Sequence, residues 1–202
     1  MSGPQPVFFY DLGDPECYLV AEQVMSELPV VPEWEPVLSA SLGIAPPAVD
    51  TEALSARASE LGLQPMRWPA VWPPETELAM LTATYAKHIG RAVAFSLAAF
   101  RQAFAGGRDL SDQGTVLIAG AACEMHPTAV LRGVTLRSVT AGLAAAGQRA
   151  RAAGVDMLPA IMAGGELFCG PGCLAGAAGR LGAGLGAEKR PPGTPPPLGA
   201  RP

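Results

Sequence analysis

The chain has 202 residues, a net charge of −4 and only 16% charged side chains, so it offers no basic surface for nucleic acid. Hydrophobic residues make up 49%, enough to fill the core of one domain, or of one domain with a large insertion. Four cysteines are too few for a disulfide scaffold, and no apolar run of about 18 residues marks a membrane span.

Met1 to Pro6 lacks the basic stretch and long apolar run of a signal peptide. The expected compartment is cytoplasmic, where thiols stay reduced. Val7-Phe8-Phe9-Tyr10 is apolar on both faces and predicts a central strand. A helix is expected from Pro15 to about Leu28, where Pro29 and Pro32 end it. Glu33-Trp34-Glu35-Pro36-Val37-Leu38 begins by alternating charged and apolar residues and suits a second strand.

The middle of the chain changes character. Asp50-Thr51-Glu52 carries capping residues for a helix through Leu61. A loop rich in Trp and Pro follows from Gln64 to Pro74. A long helical pattern then runs from Glu75 to Ala105, with a bend expected near Gly90. Further helices fill 109–153, broken at Ser111-Asp112 and His126-Pro127.

Strands return at 154–163. Gly164-Gly165 is a two-residue hairpin signal leading into Glu166-Leu167-Phe168-Cys169. A last helix is expected from Leu174 to about Leu185, and the Pro/Gly-rich tail 188–202 is expected to be disordered. A β-α-β half and a β-β-α half separated by helices make an α/β chain with a thioredoxin-like fold and an inserted all-helical domain. The expected boundaries are 1–44 with 154–187 for the first unit and 45–153 for the insertion.

Position 14 carries the chemistry. In thioredoxin-like folds the first strand turns into a helix at a Cys-x-x-Cys motif. Here that place reads Asp14-Pro15-Glu16-Cys17. With aspartate where the attacking cysteine would stand, dithiol exchange at this helix start is excluded.

The stretch Phe9-Tyr10-Asp11-Leu12-Gly13-Asp14-Pro15-Glu16-Cys17-Tyr18-Leu19 resembles the strand, turn and helix start of the DsbA family. Within it the resemblance is to the branch of 2-hydroxychromene-2-carboxylate isomerase and kappa-class glutathione transferase. Met157-Leu158-Pro159-Ala160-Ile161 resembles the cis-proline loop of that family, and Gly165 to Gly170 its following strand and turn. Trp68-Pro69 through Pro74, Tyr85-Ala86-Lys87 and Phe100 to Phe104 resemble its helical domain. The resemblance covers about residues 7–187.

It implies an oxidoreductase or isomerase homologue acting on a small thiol-bearing or aromatic substrate between the two domains. Asp14 and Cys17 are then the candidate catalytic residues. Tyr10, Pro15, Trp72, Leu158 and Pro159 are the candidate substrate contacts. Glutathione is a candidate ligand, with no other cofactor and no metal expected, and a homodimer is a candidate assembly. The chain departs from the branch at two places. Asp14 stands where the branch has the serine that stabilises the glutathione sulfur. Pro171 and Gly172 stand where it commonly has the Ser-Asp pair that grips the glutamyl end.

Asp14 has a plain role as a helix N-cap, worth about 1 kcal/mol over alanine, and a functional one as a general base. For Cys17, a helix N-terminus favours the thiolate by about 0.3–1 kcal/mol, while a carboxylate at about 4 Å opposes it by up to roughly 4 kcal/mol. Cys17 is therefore expected to be a sluggish thiol or a buried helix residue. Trp68, Trp72, Met66 and Tyr85 are candidates for the cleft wall, against the plainer reading as core. His88 and His126 are expected to be solvated and helix-end residues. Two alternatives to catalysis stand: a binding module that has lost its chemistry, and a thiol redox sensor built on Cys169 and Cys173.

Overall fold

The computed structural model describes residues 4–46 and 48–188, so most of the tail expected to be disordered lies outside the described residues. Four strands form one sheet: β1 (Val7–Tyr10), β2 (Glu33–Pro36), β3 (Ala160–Ala163) and β4 (Glu166–Cys169). Their order is β2-β1-β3-β4. β1 runs parallel to β2 and antiparallel to β3, which pairs antiparallel with β4. This is the expected thioredoxin-like sheet, with β1 internal and Phe8, Phe9 and Tyr10 buried. Gly164 and Gly165 turn the β3–β4 hairpin at φ +57° and +82°, a conformation open to glycine at little cost.

Helices α1 (Pro15–Ala21) and α2 (Val24–Glu27) connect β1 to β2. The single helix expected over 15–28 is thus split. Gln23 explains the break: its N–H turns to Val20 O, and its side-chain Nε2 takes over the Leu19 carbonyl at 2.7 Å. After β2 come α3 (Ser39–Leu42), α4 (Thr51–Glu60), α5 (Glu77–His88), α6 (Ala92–Phe104), α7 (Gln113–Ala121), α8 (Pro127–Gly133) and α9 (Arg137–Ala152). The pattern expected over 75–105 breaks at Gly90, φ +73°. The breaks expected at Ser111-Asp112 and His126-Pro127 fall at helix starts, where Asp112 and His126 cap α7 and α8. β3 is shorter than the 154–163 segment expected, because 157–159 form a bend ahead of it. Helix α10 (Cys173–Glu188) closes the fold.

The helical block is seated on β1 and β2. Alternation along β2 buries Trp34 against Phe8 and Tyr10, with ring centroids 5.1 and 5.4 Å apart. It turns Glu33 and Glu35 the other way. Lys87 of α5 reaches both carboxylates at 2.7 and 2.9 Å, and Arg149 of α9 reaches Glu35 at 2.9 Å. Tyr10 OH and Ser96 Oγ of α6 share a buried hydrogen bond of 2.6 Å. Tyr18 of α1 packs on Phe100 and Phe104 of α6. Burying aromatic side chains of this size contributes roughly 2–3 kcal/mol each before entropy is counted.

Candidate functional site

The turn after β1 begins with Asp11, which is 2% exposed. Its Oδ1 accepts from Gly13 N at 3.0 Å and Thr76 Oγ1 at 2.9 Å, and its Oδ2 accepts from Ser39 N at 2.8 Å. One carboxylate thus holds three segments: its own turn, the start of α3 and the residue before α5. Gly13 permits the close approach, since a Cβ there would stand 2.7 Å from Thr76 Cγ2 and 3.1 Å from Pro74 Cγ.

These segments enclose a cleft of about 410 Å³ at the carboxyl ends of β1 and β2. Such ends are where parallel α/β sheets ordinarily take ligands. Asp14, Leu38, Ile44, Trp72 and Glu75 are among its walls. Trp72 is 36% exposed there and rests edge-on against Trp68, with centroids 5.8 Å apart.

Asp14 is the N-cap of α1. Its backbone is extended, and Oδ1 accepts from Glu16 N at 2.8 Å and Cys17 N at 3.2 Å. The capping role expected from the sequence is therefore present. The side chain also lines the cleft while only 8% exposed. Oδ2 accepts from no donor among the described residues and is not sealed from solvent. Burial pushes the carboxyl up to about 7, with Asp11 and Glu16 adding to the rise and the two capping N–H groups resisting it.

Several expected site residues fall elsewhere. Cys17 is fully buried, so it is no substrate-facing thiol. Burial holds it well above the usual thiol range, and repulsion from Asp14 is the second cause rather than the first. Tyr10 is also fully buried and bonded to Ser96, with its hydroxyl raised chiefly by burial. Pro15, Leu158 and Pro159 are buried outside the cleft wall. The Leu158–Pro159 bond is cis, and extending the β1–β3 register by one residue sets Pro159 beside Tyr10. Of the seven candidates, Asp14 and Trp72 are the two on the cleft.

Tyr85 belongs instead to a separate, more open hollow of about 540 Å³ that also includes His126 and Arg132. Trp68 backs Trp72 from the core side, and Met66 packs on the core. His126 Nδ1 accepts from Thr128 N, a helix-end role. The four cysteines are free thiols. Burial and then Cys169 push Cys173 up to about 12. No group of three His, Cys, Asp or Glu able to hold a metal occurs among the described residues.

Sequence reading missed Asp11, Ser39, Thr76, Glu75 and Glu77. Asp11 meets Ser39 and Thr76 through hydrogen bonds spanning 28 and 65 residues, for which no local motif exists, and Glu75 and Glu77 flank Thr76 in sequence.

Fold and site define a thioredoxin-fold chain with a helical insertion, whose helix start presents a carboxyl rather than a thiol. No family model matches the chain, and no curated protein matches it. Solved structures do. 2-Hydroxychromene-2-carboxylate isomerase superposes with a TM-score of 0.77 at 16% identity, over 93% of this chain and 100% of that one. A probable DsbA oxidoreductase from Streptomyces coelicolor gives 0.73 at 17% identity, over 96% and 93%. A putative protein disulfide isomerase from Nitrosomonas europaea gives 0.63 at 15%, over 93% and 100%. The chain has the fold these proteins share: a thioredoxin-like domain interrupted by an all-helical one.

Proposed function

We propose that this protein is an isomerase-type member of the DsbA-like fold, acting on a small aromatic molecule in the cleft by proton transfer at Asp14. The observation that carries the reading is the placement of Asp14. Its carboxyl is nearly buried, lines the cleft, and is raised to about 7. A group poised there can both accept and return a proton near neutral pH. In the proposed step, Asp14 Oδ2 takes a proton from carbon or oxygen of the substrate and returns it at a second position. No electron is transferred, so no oxidant or reductant is needed. Burial of Cys17 and its high pKa are consistent with a route that uses no thiol of the protein.

The expected division into 1–44 with 154–187 and 45–153 belongs to this reading, with the cleft contributed by both parts. Glutathione is not required by it. Homodimer formation and a cytoplasmic setting remain parts of the proposal; no described helix is long and apolar enough to cross a membrane.

The test is solvent exchange. A panel of small aromatic hydroxy and oxo compounds, some neutral, some bearing an amine and one the anion 2-hydroxychromene-2-carboxylate, is incubated with protein in deuterated water and followed by NMR. The expected result is isomerisation or deuterium uptake in at least one compound, lost in Asp14→Asn. No catalysed exchange in any compound, or exchange indifferent to Asp14→Asn, would overturn the reading. A binding module without catalysis is the second reading. It is favoured by the sealing of Cys17, which leaves no accessible thiol at the helix start.

A further inference from the structure

The charges around the cleft are one-sided. Asp11, Asp14, Glu75 and Glu77 all line it, and no Lys, Arg or His does. Several of the described cations are committed elsewhere: Lys87 to Glu33 and Glu35, Arg149 to Glu35, Arg57 to Glu16, Arg101 to Glu22. None of the four cleft carboxylates has a cationic partner among the described residues.

Acidic residues on a surface would mean little alone. Here two further observations join them. Asp14 is more than nine-tenths buried, lines the cavity, and has an oxygen that no protein donor fills. Its Oδ1 is taken by two capping N–H groups, and its Oδ2, not sealed from solvent, is free to accept from a cationic donor in the cleft. The remaining wall is apolar and aromatic. Leu38, Ile44 and Trp72 give a surface for a ring, and an indole also attracts a cation.

The geometry points to a substrate class: a small aromatic cation, such as an arylalkyl amine, with anions rejected. This rests on the reading of the cleft as the substrate site. Asp14 and the Glu75–Glu77 rim would hold the ammonium group, and the Trp72 wall the ring. Glutathione, with two carboxylates, would meet like charge at every titratable group of the cleft and no compensating cation.

Three probes of nearly equal size separate the possibilities: phenethylamine, 2-phenylethanol and 3-phenylpropionate. Each is titrated calorimetrically into the full chain at pH 8 and low salt, with glutathione as a fourth ligand. The amine is expected to bind at least about tenfold more tightly than the alcohol, with no heat from the propionate or glutathione. Replacing both exposed rim residues, Glu75→Gln and Glu77→Gln, should shrink the amine's advantage and leave the alcohol's affinity unchanged. Trp72→Ala should weaken amine and alcohol alike, which places both in the cleft.

If the alcohol or propionate binds as tightly as the amine and Trp72→Ala weakens it, the charge inference is overturned while the cleft keeps its role. If no probe binds, the inference is also overturned, and exchange loss in Asp14→Asn alone decides the isomerase reading.

Discussion

Thr76 Oγ1 donates to Asp11 Oδ1 at 2.9 Å, across 65 residues of sequence. That one bond fastens the helical insertion to the turn after β1 and shapes the cleft on which Asp14 stands. The same carboxylate also takes Gly13 N and Ser39 N. Asp11→Ala would leave three donors without their acceptor in a site 2% exposed, at a cost of about 3 kcal/mol. Chemical denaturation should show the loss as a lower midpoint. Asp11→Asn, which keeps one acceptor, should lose less.

Gly13→Ala should damage the cleft in a different way. The new methyl would meet Thr76 Cγ2 at 2.7 Å, and Thr76 cannot swing aside without giving up its bond to Asp11. A loss of about 1–3 kcal/mol is expected, as for other overpacked sites. Weaker probe binding should accompany it.

The raised Asp14 carboxyl also makes stability depend on pH. Folded, the group holds its proton up to about 7, against 3.8 in the open chain. Between those values the folded state binds the extra proton. Stability from this group is therefore full below pH 3.8 and falls as pH rises toward 7, by about 4 kcal/mol in all. Asp14→Asn keeps a good N-cap and removes the titration. It should melt above the wild type at pH 8, with the gain shrinking toward pH 4.

Thiol labelling should sort the cysteines by burial. Cys169 is half-buried, while Cys17, Cys123 and Cys173 are buried. Iodoacetamide at neutral pH should modify Cys169 first and Cys17 last, followed by mass spectrometry of peptides. Fast loss of Cys17 would mean that the helix start opens, contrary to the structure.

Asp14→Ser would restore the residue that the resembled isomerase branch carries. It should not create glutathione binding. Pro171 and Gly172 supply no gripping side chains before α10, and the Glu75–Glu77 rim stays acidic. Calorimetry at millimolar glutathione should remain silent. A clear heat in the variant would show that position 14 alone kept glutathione out.

What the sequence disclosed was mostly local. The apolar run of β1, the glycine pair of the hairpin, the caps Asp14 and Asp50, and the breaks at Ser111-Asp112 and His126-Pro127 all act on neighbours a few residues away. Those signals, taken in order, were sufficient for the fold. The break at Gln23 escaped because a side chain replaces a backbone bond there, which leaves the apolar spacing intact. The site was less legible. Asp14 and Trp72 stood out by motif and loop position, but Tyr10, Pro15, Cys17, Leu158 and Pro159 are buried off the cleft. Asp11 looked like one more carboxylate, since two of its three donors come from segments 28 and 65 residues along the chain.

Carbon-13 NMR titration of the Asp14 carboxyl tests the proton-transfer reading at its root, with Asp14→Asn used to assign the signal. A midpoint near 7 is expected, falling when phenethylamine occupies the cleft. A midpoint near 4, as for an exposed aspartate, would leave Asp14 a helix cap and nothing more.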